Sequence, residues 1–200
     1  MTKIHPSKKT YFTQDKFLLL SAFCGLLGPL TIGMMLASTG APWFNWIYHD
    51  MSDIGASSDG LLFNTSMIIA GITSIILSVG IYKWIGTKRI ATFGLVVMII
   101  GFFSLTLLGF ITRMFGMVHY ILAVMYYLSV SLGIFLYGIA IFKNGLFVHG
   151  AISCTTSIAA IASVLFIPHQ GAAVPEVIGT ILFGYWAFYM TLNLLFSERL

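Results

Sequence analysis

Six apolar stretches, each about as long as a bilayer crossing, occupy most of this chain. They run over Phe17–Ser38, Leu61–Trp84, Ile90–Thr112, His119–Phe142, Gly150–Phe166 and Val177–Phe196. Segments that long and that poor in charge are solvated by lipid, and inside lipid a spanning segment satisfies its own backbone as a helix. Composition agrees: 58% of the 200 residues are hydrophobic and 8% are charged. A water-soluble globular protein carries about 25% charged residues, so this chain has too little charge to cover a surface in water. The expected fold is all-α, an integral membrane bundle of six transmembrane helices.

The charges give the orientation. There are ten Lys and Arg residues. With the N-terminus inside, Lys3, Lys8, Lys9, Lys16, Lys83, Lys88, Arg89, Lys143 and Arg199 all fall on the inner side, and Arg113 alone falls outside. The positive-inside rule then makes both termini cytoplasmic. Residues 1–16 read as a basic cytoplasmic tail and residues 17–200 as a single six-helix domain in the cell membrane. A cleaved signal peptide is the competing reading of the first span, but its apolar run is longer than a signal core of about 7–15 residues. The net charge of +4 comes from these juxtamembrane segments and from no nucleic-acid motif. Membrane lipids are therefore the expected partners, with a second copy of the chain as a further candidate. Cys24 and Cys154 lie inside spans, have no metal spacing, and read as small packing residues. A short similarity between the stretches Gly80–Gly94 and Gly138–Gly150 hints at a duplicated hairpin.

The polar chemistry gathers on the outer side. The loop from Thr39 to Gly60 is the longest connection and holds Trp43, Trp46 and Tyr48, an interfacial composition that predicts a short helix or a re-entrant turn. It also holds His49, Asp50 and Asp53. If residues 49–53 form a helical turn, His49 and Asp53 share one face at i, i+4, where they could share a proton or an ion. Asp50 and Asp53 could equally cap a helix start. His119 opens the fourth span, and His119, Tyr126, Ser129, Gly133 and Tyr137 follow near helical spacing. That stripe reads either as a bundle interface or as a lipid or substrate groove with His119 at its mouth. His169 sits beside Pro168 at the outer end of the fifth span. Asn64, in a sequon too close to the bilayer for a sugar, reads as a hydrogen-bonding group of the bundle.

Asp53 and His119 are the candidate catalytic pair, with Asp53 as acceptor or base and His119 as donor or ligand. His49, Asn64, Tyr126 and His169 are candidate binding residues. His49, Asp53, His119 and His169 together are the chemical types that hold zinc, though they come from separate connections and form no short-range metal motif. Walker, Rossmann and nucleophile-elbow motifs are absent from the sequence.

The pattern Ser52-Asp53-Ile54-Gly55-Ala56, ahead of a span carrying Phe63-Asn64 and Ala70-Gly71, resembles a prokaryotic six-span membrane family known as domain of unknown function 998. Gly109-Phe110 closing the third span and His119 opening the fourth continue the likeness, which covers essentially the whole chain. Members often carry an acidic residue just before that histidine. Thr112 to Val118 contain none, so no acid–histidine pair is carried over. The resemblance implies a six-helix bundle and draws attention to Asp53 and His119, and it brings no activity with it.

Three functions fit these readings. The first is a small membrane protein whose outward polar site binds or organises lipid. The second is an interfacial or intramembrane enzyme acting on lipids, with a metal-dependent hydrolase as one form of it. The third is a small transporter, suggested by Pro29 among Gly25, Gly28 and Gly33 in the first span.

Overall fold

A computed structural model describes residues 30–85, 89–168 and 170–196. The basic tail, the first span as far as Pro29, Cys24 and His169 lie outside these residues. The described residues contain helices and no strand. In chain order the α-helices are α1 (Gly33–Thr39), α2 (Met51–Gly55), α3 (Leu61–Ile85), α4 (Arg89–Leu108), α5 (Met117–Phe142), α6 (Phe147–Phe166) and α7 (Ala173–Phe196), with a 3-10 turn at Arg113–Phe115 between α4 and α5. Five of them, α3 to α7, are long and apolar enough to cross a membrane. Of the first predicted span, the shorter apolar helix Leu30–Thr39 is described.

Short connections make successive long helices antiparallel neighbours: α3 packs on α4, α4 on α5, α5 on α6 and α6 on α7. Lipid tails are as apolar as leucine, so close packing rather than burial from water holds such helices together. The α4–α5 seam shows how. A Cβ on Gly133 would stand 2.6 Å from the Gly94 carbonyl oxygen, and one on Gly94 would stand 2.8 Å from that of Gly133. The backbones meet where neither helix has a side chain. Trp186, Tyr137, Phe63, Phe102 and Phe183 fill the core on either side.

Most polar side chains inside the helices are settled locally. Ser74 and Ser78 donate to the carbonyls four residues back, at 2.6 and 2.9 Å, and Thr106 does so at 3.1 Å. Ser157 instead crosses a helix interface, donating from α6 to the Ser131 carbonyl on α5 at 2.7 Å.

The third predicted span ends early. Helix α4 stops at Leu108, four residues before Thr112, and the chain turns through Gly109 and Phe110 into the 3-10 turn. Gly109 lies against the Asn64 carbonyl of α3, where a Cβ would approach to 2.5 Å. The predicted fifth and sixth spans gain a turn or less at their starts. The long loop from Thr39 to Gly60 does contain a short helix, α2.

Candidate functional site

Three connections lie at one end of the bundle: residues 40–60 before α3, 109–116 between α4 and α5, and 167–172 between α6 and α7. They meet in a single polar hub. Asp50 occupies the N-cap of α2 with extended backbone (φ −91°, ψ 152°), and Asp53 stands at the third helical position. Asp53 Oδ2 accepts from the Asp50 backbone N–H at 3.0 Å, one half of a capping box. One further oxygen of each carboxylate turns to Arg113. Its Nη1 lies 2.7 Å from Asp50 Oδ2 and also pairs with Asp53 Oδ1. The Arg113 side chain is 46% exposed, those of Asp50 and Asp53 28% and 23%.

The α6–α7 connection joins from the other side. Asp50 Oδ1 accepts from the Ala172 N–H at 2.7 Å. Gly171 N–H donates to the Ile47 carbonyl at 2.8 Å, and Ala173 N–H to that of His49 at 3.1 Å. Gly171 runs so close to the His49 backbone that any Cβ would collide with it. Glu176, in the first turn of α7, accepts the Met51 N–H at 2.9 Å through Oε2. One carboxylate thus serves two helix starts: it satisfies an orphan amide of α2 and sits at the favourable end of the α7 dipole. Tyr127 of α5 donates its hydroxyl to the Glu176 carbonyl at 2.9 Å.

The candidates named from sequence fall in different places. Asp53 is in the hub. His49 borders it but lies outside α2, because the helix begins at Met51; the i, i+4 pairing with Asp53 does not form. His49 Nδ1 accepts the Asn45 N–H at 2.9 Å instead, and the ring stacks on Phe44 with centroids 5.7 Å apart. Asn64 donates to the Gly55 carbonyl at 2.9 Å, tying the end of α2 to the start of α3. His119 is 7% exposed, and its Nδ1 bonds the Ile111 carbonyl at 2.6 Å, bracing the α4–α5 turn. No hydrogen bond or ion pair joins it to Asp53. Tyr126 is buried deeper, against Tyr127 and Phe183 at 4.8 and 6.0 Å, and its neighbour Tyr127 is the one that touches the hub. Of the predicted stripe, His119, Tyr126, Gly133 and Tyr137 are buried and face the bundle, and Ser129 is half-buried.

For a metal, His49, Asp53 and His119 do not converge. Among the described residues no group of three or more His, Cys, Asp or Glu is gathered so that it could hold an ion. Asp50, Arg113, Glu176 and Tyr127 belong to the hub and are not among the site residues named from the sequence, though Asp50 reads there as a helix cap; Arg113 and Glu176 could have been found. Each of these two carried a signal: Arg113 is the lone cation on the side the sequence predicts to be outer, and Glu176 is the lone acid at the entry of the last predicted span.

A second feature lies along α5 and α6. A groove of about 550 Å³ runs between them, lined by Leu128, Leu132 and Phe135 on one wall and Ile158, Ile161, Ala162, Leu165 and Phe166 on the other, with Ser131 and Ser157 at its floor. It extends from mid-bundle toward the hub end. Its rims are open, with Leu132 49% and Phe166 79% exposed.

The family model described as protein of unknown function (DUF998) matches residues 23–193. Comparison with curated proteins gave no match, and comparison with solved structures gave none either.

Proposed function

Since the chain belongs to the DUF998 family, whose function is unknown, we propose, from the groove and the hub, a multi-pass membrane protein that binds lipid from the outer leaflet. In this reading six spans cross the cell membrane. A first crossing over Phe17–Ser38, ending in the apolar helix Leu30–Thr39, precedes the five long helices. Both termini are cytoplasmic, since this arrangement leaves Arg113 as the single outer cation. The hub then stands at the level of the outer headgroups.

The groove is the observation that carries the lipid reading. At its depth the surrounding medium is acyl chain, and its walls are hydrocarbon. At the floor Ser157 spends its hydrogen on the Ser131 carbonyl, which leaves the buried Ser131 hydroxyl as the single unpaired polar group of the lining. A transport site near the midplane uses polar groups that face a cavity, and this groove supplies almost none. At the hub, Asp50 and Asp53 outnumber Arg113, which favours an amine-bearing headgroup over an anionic one. The enzymatic alternative would use Asp53 as acceptor and His119 as donor. Both side chains already hold structural partners, and lipid binding needs neither to be free.

The test fills the groove. In Ala162→Phe the new ring occupies the space between α5 and α6. Mass spectrometry of lipids retained by purified protein should show an amine-headgroup lipid held by the wild type and lost from the variant, at unchanged helical content. Equal retention by both proteins would end the proposal. Turnover of that lipid, abolished by His119→Ala, would replace it with the enzymatic one.

A further inference from the structure

The lipid reading leaves one polar group of the α5–α6 groove without a role. Ser131 lines the floor, is 2% exposed, and its hydroxyl has no hydrogen-bond partner. Every other buried serine among the described residues donates to a backbone carbonyl, at 2.6–3.0 Å. Most reach back three or four residues along their own helix, and Ser157 crosses from α6 to the Ser131 carbonyl. That bond engages the Ser131 carbonyl and leaves its hydroxyl unclaimed. The hydroxyl shares the groove with hydrocarbon, Leu128, Leu132 and Phe135 of its own helix and Ile158 of α6.

Depth decides what can meet it. Ser157, its neighbour across the seam, lies nine residues in from Phe166 at the hub end of α6. At 1.5 Å per residue that is about 14 Å. The hydrocarbon core of a bilayer is about 30 Å thick, so in the membrane Ser131 lies near its middle. Headgroups and ester carbonyls stay at the interface, and the bilayer core holds no water to pair a lone hydroxyl. A hydroxyl left unpaired in such surroundings costs free energy, which a bound acceptor recovers. In a filled groove the new atoms at that depth belong to the ligand's own chain. A saturated chain offers no acceptor. A double bond offers its π electrons, a weak acceptor, and an oxygen on the chain offers a stronger one.

We propose, building on the lipid reading, that the lipid in this groove carries a hydrogen-bond acceptor partway down its chain, a carbon–carbon double bond or a chain oxygen, to which Ser131 donates. Ser131 then selects among chains while the hub selects among headgroups, and the two act on opposite ends of one molecule.

The test offers the purified full chain, in mixed micelles, an equimolar mixture of three fluid phosphatidylethanolamines of equal chain length. One has methyl-branched saturated chains, one has a cis double bond near mid-chain, and one has a hydroxyl there. Mass spectrometry of the retained lipid reads their ratio. The wild type should hold an acceptor-bearing lipid about two- to fivefold over the branched one. Preference for the unsaturated lipid identifies the double bond as the acceptor, and preference for the hydroxylated lipid identifies the oxygen. Ser131→Ala should retain the same total lipid with that preference gone. Equal retention of all three by the wild type, or a preference that survives in Ser131→Ala, overturns the proposal and leaves the lipid reading standing. Total retention unchanged in Ala162→Phe overturns both.

Discussion

Arg113 is surrounded by more negative charge than it neutralises, and its removal has a predictable sign. Exposed ion pairs contribute about 0.2–1 kcal/mol each, and less exposed ones cost more when one partner is lost. Arg113→Ala leaves two carboxylates facing each other, and a loss of about 1–2 kcal/mol is expected in thermal or denaturant unfolding. Adding Asp53→Asn should restore part of that loss, because the amide oxygen still accepts the Asp50 N–H and the repulsion is gone. A double variant no more stable than Arg113→Ala would show that repulsion is not the cause. The sequence marked this arginine as the only cation on the predicted outer side, yet its partners lie 60 and more residues away, where no spacing rule reaches. The capping role of Asp53 was legible as one of two readings. The use of His119 to brace a carbonyl eight residues back was not, because an imidazole gives no sign in the sequence of which backbone oxygen it will meet.

The elements rest on the α4–α5 seam. Because the Gly94 and Gly133 backbones touch, an added methyl must push the helices apart, and overpacking of this kind costs about 1–3 kcal/mol. Gly133→Ala should lower the unfolding temperature, and Gly133→Leu should abolish recovery of folded protein; normal stability of the leucine variant would mean the seam is loose. The long helices were legible because their apolar runs match the bilayer thickness and their polar residues punctuate the ends. The early stop of α4 was not. Thr112 continues the apolar run in composition, and only the contact of Gly109 with α3 and the pull of Arg113 toward Asp50 turn the chain out at Leu108. Helix α2 is five residues long, too short to stand alone, and its first amides are held by its own Asp50 and Asp53 and by Glu176 of α7.

For the whole molecule, the up-and-down path puts residues 40–60, 109–116 and 167–172 at one end and Lys143 to Leu146 at the other. Single cysteines placed in a chain lacking Cys24 and Cys154 will report which end is outside. Ser58→Cys should react with an impermeant thiol reagent on intact cells, and Asn144→Cys only after permeabilisation; the reverse pattern would invert the topology. That these three connections share one side followed from counting crossings. That they knit into one hub did not, since two of the joining bonds run between backbone groups alone and the others pair side chains with partners 60 or more residues away, where no spacing rule reaches.

The hub also sets an order of assembly. Asp50 and Met51 are synthesised more than 120 residues before the amide and carboxylate that engage them, with separations of 122 to Ala172 and 125 to Glu176. Until the last helix has entered the bilayer, the start of α2 lacks its partners and Asp50 has an oxygen unclaimed. Insertion of α7 supplies both at once. The hub therefore acts as a clasp fastened by the final segment, and a nascent chain halted before that point would display unmatched acid and open amides at the membrane surface, a chemical mark by which quality control could tell the unfinished protein from the finished one.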